Sequence, residues 1–232
     1  MTSVDLDQLK KAAALKAVEF VRAGMVVGLG TGSTAKHMIM ALGDKVRAGM
    51  NLRGVPTSQE TAVLARQAGI PLVDAENRWE IDVAIDGADQ VDPHFNLIKG
   101  GGGALLKEKI VAASSKQFIV MVDHTKQVPV LGGSFPLPIE IIPFGWGSTA
   151  RDIETLTRSR VVLRERNGAP FKTEAGNLIV DVHLDRIDNP KDVEIALNQI
   201  PGVVETGLFV GRTDVLIVGT AAGPETHLAK RI

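Results

Sequence analysis

Four consecutive glycines at positions 100–103 constrain the fold of this chain more than any other stretch. A short apolar run ends at Lys99 just before them, and a helix-forming segment follows them as far as Ser115. This order predicts a strand, a tight turn and a helix, because glycine permits positive φ and lets a ligand approach the main chain closely. The unpaired N–H groups at the start of a helix favour an anion. The sequence therefore predicts an anion-binding turn, flanked by Lys99 and by Glu108 on the helix.

Two interpretations of Glu108 follow from this segment. At about 100° per residue, Leu106, Ile110 and Ala113 form an apolar stripe, and Glu108 points to the opposite side of the helix. Periodicity alone therefore predicts an exposed Glu108 on a solvated face with its two lysine neighbours. A helix at the edge of a cleft can instead turn its polar side to a ligand, and the carboxylate would then serve acid–base chemistry beside the anion.

Composition narrows the class of protein. The chain has 232 residues, 44% of them hydrophobic, which is enough for one large or two modest domains. Its net charge of −1, without blocks of like charge, argues against nucleic acid or an anionic membrane as a partner. The absence of cysteine excludes disulfides and thiolate chemistry. The N-terminal segment carries charges throughout and the apolar runs are strand-sized, so the sequence predicts a soluble, cytoplasmic protein.

A second strand, glycine turn and helix occupy residues 25–46. The turn resembles the start of a dinucleotide fingerprint, but Ser33 replaces the third glycine and no acidic residue closes the next strand, so a nicotinamide cofactor is disfavoured. A P-loop is disfavoured too, because the required lysine does not follow the glycines. Hydroxyl groups of Thr31, Ser33 and Thr34 at a helix start suit a phosphate monoester or sugar hydroxyls. The alternative is that Ser33 or Thr34 is simply an N-cap.

Three carboxylates, Asp86, Asp89 and Asp92, follow a predicted strand over residues 81–85. In open parallel sheets, ligands bind beyond the carboxyl ends of the strands, so we expect Asp86 and Asp89 to lie near both glycine turns. The Asp-Pro pair at 92–93 is typical of a turn, and we favour that interpretation there. A carboxylate cluster could alternatively hold Mg²⁺, and the sequence leaves this open.

The remaining pattern predicts two domains. From residue 138 to 209 the predicted order is strand, helix, strand, strand, helix, strand, which is the ferredoxin-like order. The other predicted helices are a first helix that begins near Leu6, carries Lys10 and ends near residues 23–24, and a helix opened by the capping-box spacing of Thr57 and Glu60. Further strands are predicted over 70–74 and 118–123, and a strand over 214–219 is expected to return to the first sheet.

The predicted fold class is therefore α/β. Residues 1–131 and 210–232 are expected to form a catalytic domain with a Rossmann-like parallel sheet and helices on both faces. Residues 132–209 are expected to form the smaller ferredoxin-like α+β subdomain. Because this subdomain shows no dense polar constellation, we expect it to serve structure or a homo-oligomer rather than chemistry.

Several of these motifs together resemble the type A ribose-5-phosphate isomerases. The matching stretches are G-L-G-T-G-S-T-A at 28–35, D-G-A-D at 86–89, K-G-G-G at 99–102 and D-H-T-K at 123–126, with Glu108. The resemblance extends to F-P-L-P at 135–138 with Glu140 and to residues 200–209, so it covers nearly the whole chain in order. The segment 56–60 departs from the family pattern.

The resemblance implies a reversible conversion of D-ribose 5-phosphate to D-ribulose 5-phosphate through an enediolate, in the non-oxidative pentose phosphate pathway. It implies Glu108 as the catalytic base with Asp86, Asp89 and Lys99 as partners, no cofactor and no metal, and a homodimer or homotetramer. The substrate-binding residues that it implies are Lys10, Thr31, Gly32, Ser33, Thr34, Gly87, Ala88, Gly100, Gly101, Gly102 and Lys126. These residue types independently supply what the reaction needs, namely a base, a donor for the enediolate oxygens and a phosphate anchor.

Two other classes of protein compete with this interpretation. A Rossmann-type oxidoreductase would explain a parallel α/β core but lacks the third glycine and the ribose-binding acid. A sugar-phosphate-binding regulatory domain would bind the same ligands without turnover. Such a regulator would need an element that reads DNA, and the sequence shows neither a helix-turn-helix pattern nor a basic patch.

Overall fold

The computed structural model describes residues 5–74 and 78–229. The helices are α1 (Leu6–Val18), α2 (Ser33–Arg47), α3 (Gln59–Gln67), α4 (Leu105–Ala113), α5 (Trp146–Thr157) and α6 (Pro190–Asn198). The strands are β1 (Val26–Leu29), β2 (Arg53–Pro56), β3 (Val83–Asp86), β4 (Gln90–Val91), β5 (Leu97–Ile98), β6 (Phe118–Asp123), β7 (Leu137–Ile141), β8 (Val161–Leu163), β9 (Glu165–Arg166), β10 (Ala169–Pro170), β11 (Leu178–Val182), β12 (Val203–Thr206), β13 (Leu208–Phe209), β14 (Val215–Thr220) and β15 (Gly223–Leu228).

The chain forms two compact units. The first contains the described residues up to 88 together with 107–126 and 212–229, and the second contains 89–106 and 127–211. The division predicted from the sequence placed residues 89–106 in the catalytic domain. In the structure this segment belongs to the second unit, because its strands β4 and β5 form a small antiparallel sheet with β13.

A six-stranded sheet forms the centre of the first unit, in the order β15-β14-β6-β3-β1-β2. The edge strand β15 pairs antiparallel with β14, and all the other neighbours are parallel. Strands β1, β3 and β6 are buried along their whole length, as expected of parallel strands whose residues read as continuous apolar runs. The predicted return of the last apolar strand is confirmed, since β14 lies beside β6; the sequence did not indicate β15.

The helices of the first unit bury small and branched apolar side chains against this sheet. Ala13 and Ala17 of α1 and Met38 and Leu42 of α2 are fully buried in one core cluster with residues of the strands. Within the described part of the chain, no helix is both long enough and apolar enough to span a membrane.

The second unit contains the predicted ferredoxin-like order. Its four-stranded sheet has the order β12-β7-β11-β8 with antiparallel neighbours, and α5 and α6 are the two crossover helices. The last strand of the predicted order, expected as one strand over residues 203–209, is wrong as a single strand, because it is divided between two sheets at Gly207. A Cβ atom at Gly207 would lie 2.3 Å from the carbonyl oxygen of Lys99, so this approach requires glycine.

Two local predictions in the first unit also need correction. The N-cap of α3 is Ser58, whose hydroxyl accepts a hydrogen bond from the Thr61 N–H, rather than Thr57. Thr57 instead donates its hydroxyl proton to the Leu29 carbonyl. The predicted strand over residues 70–74 is reduced to an isolated bridge at Leu72, since this segment runs along the edge of the sheet only briefly.

Candidate active site

The candidate site residues of the first unit follow the carboxyl ends of its parallel strands. Because β2, β1, β3 and β6 are parallel neighbours, their carboxyl ends lie along one edge of the sheet. Four segments lie at these strand ends: Thr57, residues 30–34, residues 86–88 and a 3₁₀ helix at His124–Lys126. Ligands of open α/β sheets bind at such an edge.

Asp86 is a deeply buried carboxylate at this edge, with an exposed fraction of 3%. Its Oδ1 atom accepts hydrogen bonds from the Thr31 N–H at 3.1 Å and from the Gly87 N–H at 2.7 Å. A Cβ atom at Gly30 would lie 2.1 Å from this oxygen, so the carboxylate fits against β1 only because residue 30 is glycine. The main chain therefore orients Asp86 from two sides.

The start of α2 offers an anion site beside Lys10. Gly32 is the N-cap, with φ of 102°, and no side chain caps the helix, so the interpretation of Ser33 or Thr34 as a simple N-cap is wrong. The Lys10 ammonium donates a hydrogen bond to the Ser33 hydroxyl at 3.2 Å. An ammonium group and the amide donors of a helix start therefore lie together at this turn.

Three hydroxyl residues surround Thr31, and the sequence interpretation assigned none of them to the site. The Thr31 Oγ1 atom lies 2.7 Å from Thr57 Oγ1, 2.9 Å from Ser58 Oγ and 3.2 Å from Thr61 Oγ1. The signal that could have revealed them is a hydroxyl-rich segment directly after β2, the strand that neighbours β1 in the sheet.

Lys126 ends the 3₁₀ helix that follows β6 and is half-buried. This short helix is fixed by Asp123, a buried carboxylate whose Oδ1 accepts hydrogen bonds from the main-chain N–H and the hydroxyl of Thr125. Asp123 thus has a structural role, and it holds the segment that carries Lys126 at the end of its strand.

Glu108 is buried, with an exposed fraction of 7%, and the exposure predicted from helical phase is wrong. Its neighbour Lys109 is buried as well, whereas Ile110 of the predicted apolar stripe is 46% exposed. The reason is that α4 packs through Val111 on Gly28 of β1, where a Cβ atom would lie only 2.5 Å from Val111 Cγ1. The contact with the sheet therefore rotates Glu108 to the inner side of the helix.

The glycine turn of the second unit is tightly folded. Gly100 and Gly103 have φ values of 107° and 89°, and the Gly103 N–H donates to the Gly100 carbonyl at 3.0 Å. The Gly101 N–H donates to Asp89 Oδ2 at 2.8 Å, while the Asp89 N–H donates to the Ile98 carbonyl. The structure thus brings Asp89 and the predicted turn together, as the sequence predicted.

Lys99 enters this turn from a buried position, with an exposed fraction of 3%. Its N–H donates to the Gly207 carbonyl at 2.9 Å, and its ammonium lies 5.5 Å from the centroid of the Phe209 ring. Arg164, which the sequence interpretation missed, donates to the Gly100 carbonyl at 2.7 Å and forms an ion pair with Asp181. Arg164 holds the turn from outside, and no sequence motif indicates it.

Asp92 lies in a turn that its own side chain stabilises. Its carboxylate accepts hydrogen bonds from the main-chain N–H groups of His94 and Asn96, which confirms the predicted turn. Among the described residues, no group of three or more histidine, cysteine, aspartate or glutamate side chains could hold a metal ion.

Comparison with known proteins identifies the family. The family model described as ribose 5-phosphate isomerase A (phosphoriboisomerase A) matches residues 53–223. The chain is 52% identical to the ribose-5-phosphate isomerase A of Jannaschia sp. (strain CCS1) over 226 residues, covering 94% of this chain and 86% of that protein.

Two solved structures match the fold. A D-ribose-5-phosphate isomerase in complex with phospho-erythronic acid has a TM-score of 0.93 at 42% identity, covering 97% of this chain and 100% of its own. The ribose 5-phosphate isomerase A of Methanocaldococcus jannaschii has a TM-score of 0.92 at 40% identity, with the same coverage. The chain belongs to the ribose 5-phosphate isomerase A family.

Proposed function

We propose that this protein interconverts D-ribose 5-phosphate and D-ribulose 5-phosphate through an enediolate. The observation that carries the proposal is Glu108, a carboxylate buried on α4 within a chain whose family membership is clear. Glutamate is rarely buried without a specific reason, and buried titratable groups cluster at functional sites.

In this proposal Glu108 is the base that removes the proton from C2 of the open-chain aldose. The electron pair of the C–H bond forms the C1–C2 double bond, and the negative charge develops on the carbonyl oxygen O1. Glu108 then returns the proton to C1, while Asp86 or Asp89 transfers the hydroxyl proton from O2 to O1. Lys99 and the N–H groups of Gly100 and Gly102 stabilise the enediolate oxygens, while the Gly101 N–H holds Asp89.

The phosphate end of the substrate is assigned to the first unit. Lys10, the turn of residues 31–34 and Lys126 supply cations and amide donors that suit a phosphate dianion, and Gly87 and Ala88 are assigned to the sugar. A solved relative is in complex with phospho-erythronic acid, and we propose that this chain binds the same class of ligand.

The proposal includes no cofactor, metal or nucleic acid partner, and it places the protein in the cytoplasm as a homo-oligomer. Exposed apolar side chains near the start of α5 support an oligomer, because Phe144 is 89% exposed and Ile142 and Trp146 are also exposed. The second unit would then serve assembly, as the sequence predicted.

The test is a direct assay of purified protein for ribulose 5-phosphate formation from ribose 5-phosphate in excess EDTA. Turnover that persists in EDTA, together with competitive inhibition by phospho-erythronic acid, is the expected result. Tight binding of ribose 5-phosphate without turnover would favour the regulatory domain instead. Activity that EDTA abolishes and Mg²⁺ restores would assign the role of Lys99 to a metal ion.

A further inference from the structure

The hydroxyl cluster of Thr57, Ser58 and Thr61, which follows β2, surrounds Thr31 and gives it a role that differs from that of its neighbours in the turn. We propose that Thr31 is a positioning residue: Thr57, Ser58 and Thr61 draw its only hydroxyl proton into the protein, so that Gly32, Ser33 and Thr34 bind the phosphate. This inference rests on the proposed function, because it divides the roles within the phosphate turn.

The direction of each proton follows from the main-chain carbonyls at the rim of the cluster. A hydroxyl group has one proton to donate, whereas a carbonyl oxygen can only accept. Thr57 Oγ1 lies 3.0 Å from the Leu29 carbonyl oxygen and Thr61 Oγ1 lies 2.9 Å from the Gly30 carbonyl oxygen. Both threonines therefore donate to carbonyls and can only accept from the other hydroxyls.

Ser58 uses its proton in the same way. Its Oγ atom donates to Thr61 Oγ1 at 3.0 Å and accepts the Thr61 N–H at 3.1 Å as the N-cap of α3. The acceptors near Thr31 are Thr57 Oγ1 at 2.7 Å, Ser58 Oγ at 2.9 Å and Thr61 Oγ1 at 3.2 Å. The hydroxyl proton of Thr31 is thus directed towards one of these three oxygens.

The main chain of Thr31 is committed as well, since its N–H donates to Asp86 Oδ1 at 3.1 Å. Thr31 consequently has no donor left for a phosphate oxygen. Its contribution is geometric, because it ties the turn to α3 through its side chain and to Asp86 through its main chain. The phosphate donors of the turn are then the groups that follow, beside the Lys10 ammonium.

The central test compares Thr57→Val with Thr31→Val. The first variant removes the acceptor and keeps the shape of Thr57, a residue behind Thr31 that is itself 1% exposed. If Thr31 acts by position, each change should raise the KM for ribose 5-phosphate and the inhibition constants of inorganic phosphate and phospho-erythronic acid by about threefold to tenfold. The double variant should bind these ligands no more weakly than the weaker-binding single variant, because both changes break the same interaction.

Matched variants separate positioning from general destabilisation. Thr57→Ser restores the hydroxyl and should return the inhibition constants to within about twofold of wild type. If Thr57→Val fails to fold, Thr61→Val takes its place and should raise the same inhibition constants. Thr155→Val, an exposed threonine whose hydroxyl donates to the Arg151 carbonyl on α5, should change none of these constants.

Two results would overturn the inference. One is a large effect of Thr31→Val on phosphate inhibition while Thr57→Val and Thr61→Val stay at wild-type values, which would make Thr31 a direct ligand. The other is a double variant whose loss equals the product of the two single losses. Failure of the proposed function itself would show differently, as a wild-type protein that neither isomerises ribose 5-phosphate nor binds phospho-erythronic acid.

Discussion

Glu108 and Lys99 are charged residues that the fold hides from water. Both are more than nine-tenths buried, one on α4 and one at the end of β5. Burying an ionised group costs free energy unless the protein compensates it, so such residues rarely persist without a role. The chemistry assigned to them gives that role, and it can be tested one residue at a time.

Glu108→Gln keeps the size of the side chain but removes the carboxylate that we propose as the base. We expect kcat to fall by about 10²–10⁴-fold with little change in KM, because a general base acts on the transition state. Lys107→Gln is the matched control, since Lys107 is exposed on the same helix, whereas Lys109 is buried and unsuitable. Near-normal turnover and solvent proton exchange in folded Glu108→Gln would leave Asp86 or Asp89 as the base.

Lys10→Ala should chiefly raise the KM for ribose 5-phosphate, because Lys10 lies beside Ser33 at the start of α2. Binding energy from the remote phosphate helps to position the reacting end, so free ribose should be a very poor substrate of the wild type. The neighbouring Lys11→Ala, on the exposed side of α1, is the control. Similar kcat/KM values for ribose and its 5-phosphate would contradict the anchor.

At the scale of elements, the position of α4 depends on one glycine of β1. The helix packs Val111 where Gly28 has no side chain, and this contact sets which face of α4 is buried. Two apolar surfaces fit this closely only if neither side gains a methyl group, because protein interiors are close-packed.

Gly28→Ala should therefore destabilise the protein by about 1–3 kcal/mol and lower kcat by displacing Glu108. The added Cβ atom would lie 2.5 Å from Val111 and 2.8 Å from the Cβ of Ala84. Gly147→Ala, in α5 with open space around it, is the control and should be neutral or stabilising by up to about 1 kcal/mol. Urea unfolding and steady-state kinetics measure both effects, and equal stability of the two variants would refute the packing argument.

At the scale of the whole molecule, the central sheet predicts a pH dependence of stability. Asp82 accepts hydrogen bonds from the Lys116 ammonium at 2.7 Å and from the Val26 N–H at 2.9 Å, which together hold its pKa below the ordinary value of 3.8. A carboxylate with a lowered folded-state pKa stabilises the fold above its ordinary pKa, and this contribution is lost as pH falls through the folded-state pKa.

Asp82→Asn should consequently lower Tm at pH 7, and the difference from wild type should shrink as the pH falls below 3.8. Lys116→Gln should remove part of the same pH dependence, because the hydrogen bond from Lys116 is the largest cause of the lowered pKa of Asp82. Thermal unfolding followed by circular dichroism between pH 7 and pH 3 measures the difference. A constant difference over this range would show that Asp82 acts through hydrogen bonds without its charge.

The second prediction at this scale concerns assembly. Sedimentation of wild type at micromolar concentration should show a homo-oligomer, and Phe144→Asp should shift it towards monomer if the exposed apolar side chains near α5 form the interface. Leu228→Asp, another exposed apolar position but in the first unit, is the control. A fully active wild-type monomer would remove the reason for assigning assembly to the second unit.

The sequence by itself determined most of the order of strands, turns and helices and indicated the candidate site residues. Glycine turns after apolar runs are local signals, because positive φ and the absence of a side chain are properties of single residues. The strand, helix, strand, strand, helix, strand order of the second unit could be predicted for the same reason, because the spacing of hydrophobic residues within a short segment indicates a helix or a strand.

Only the tertiary structure decided which face of α4 is buried, where the strand at residue 207 divides, and which side chains surround Thr31. Each of these depends on a residue distant in sequence: Gly28 for Glu108, Lys99 for Gly207, and Thr57 to Thr61 for Thr31. Helical phase could not show the burial of Glu108, because the free energy of packing α4 on β1 outweighs the preference of one carboxylate for water. The sequence indicated Glu108 as the candidate base, and its burial is determined by the packing of α4 on the sheet.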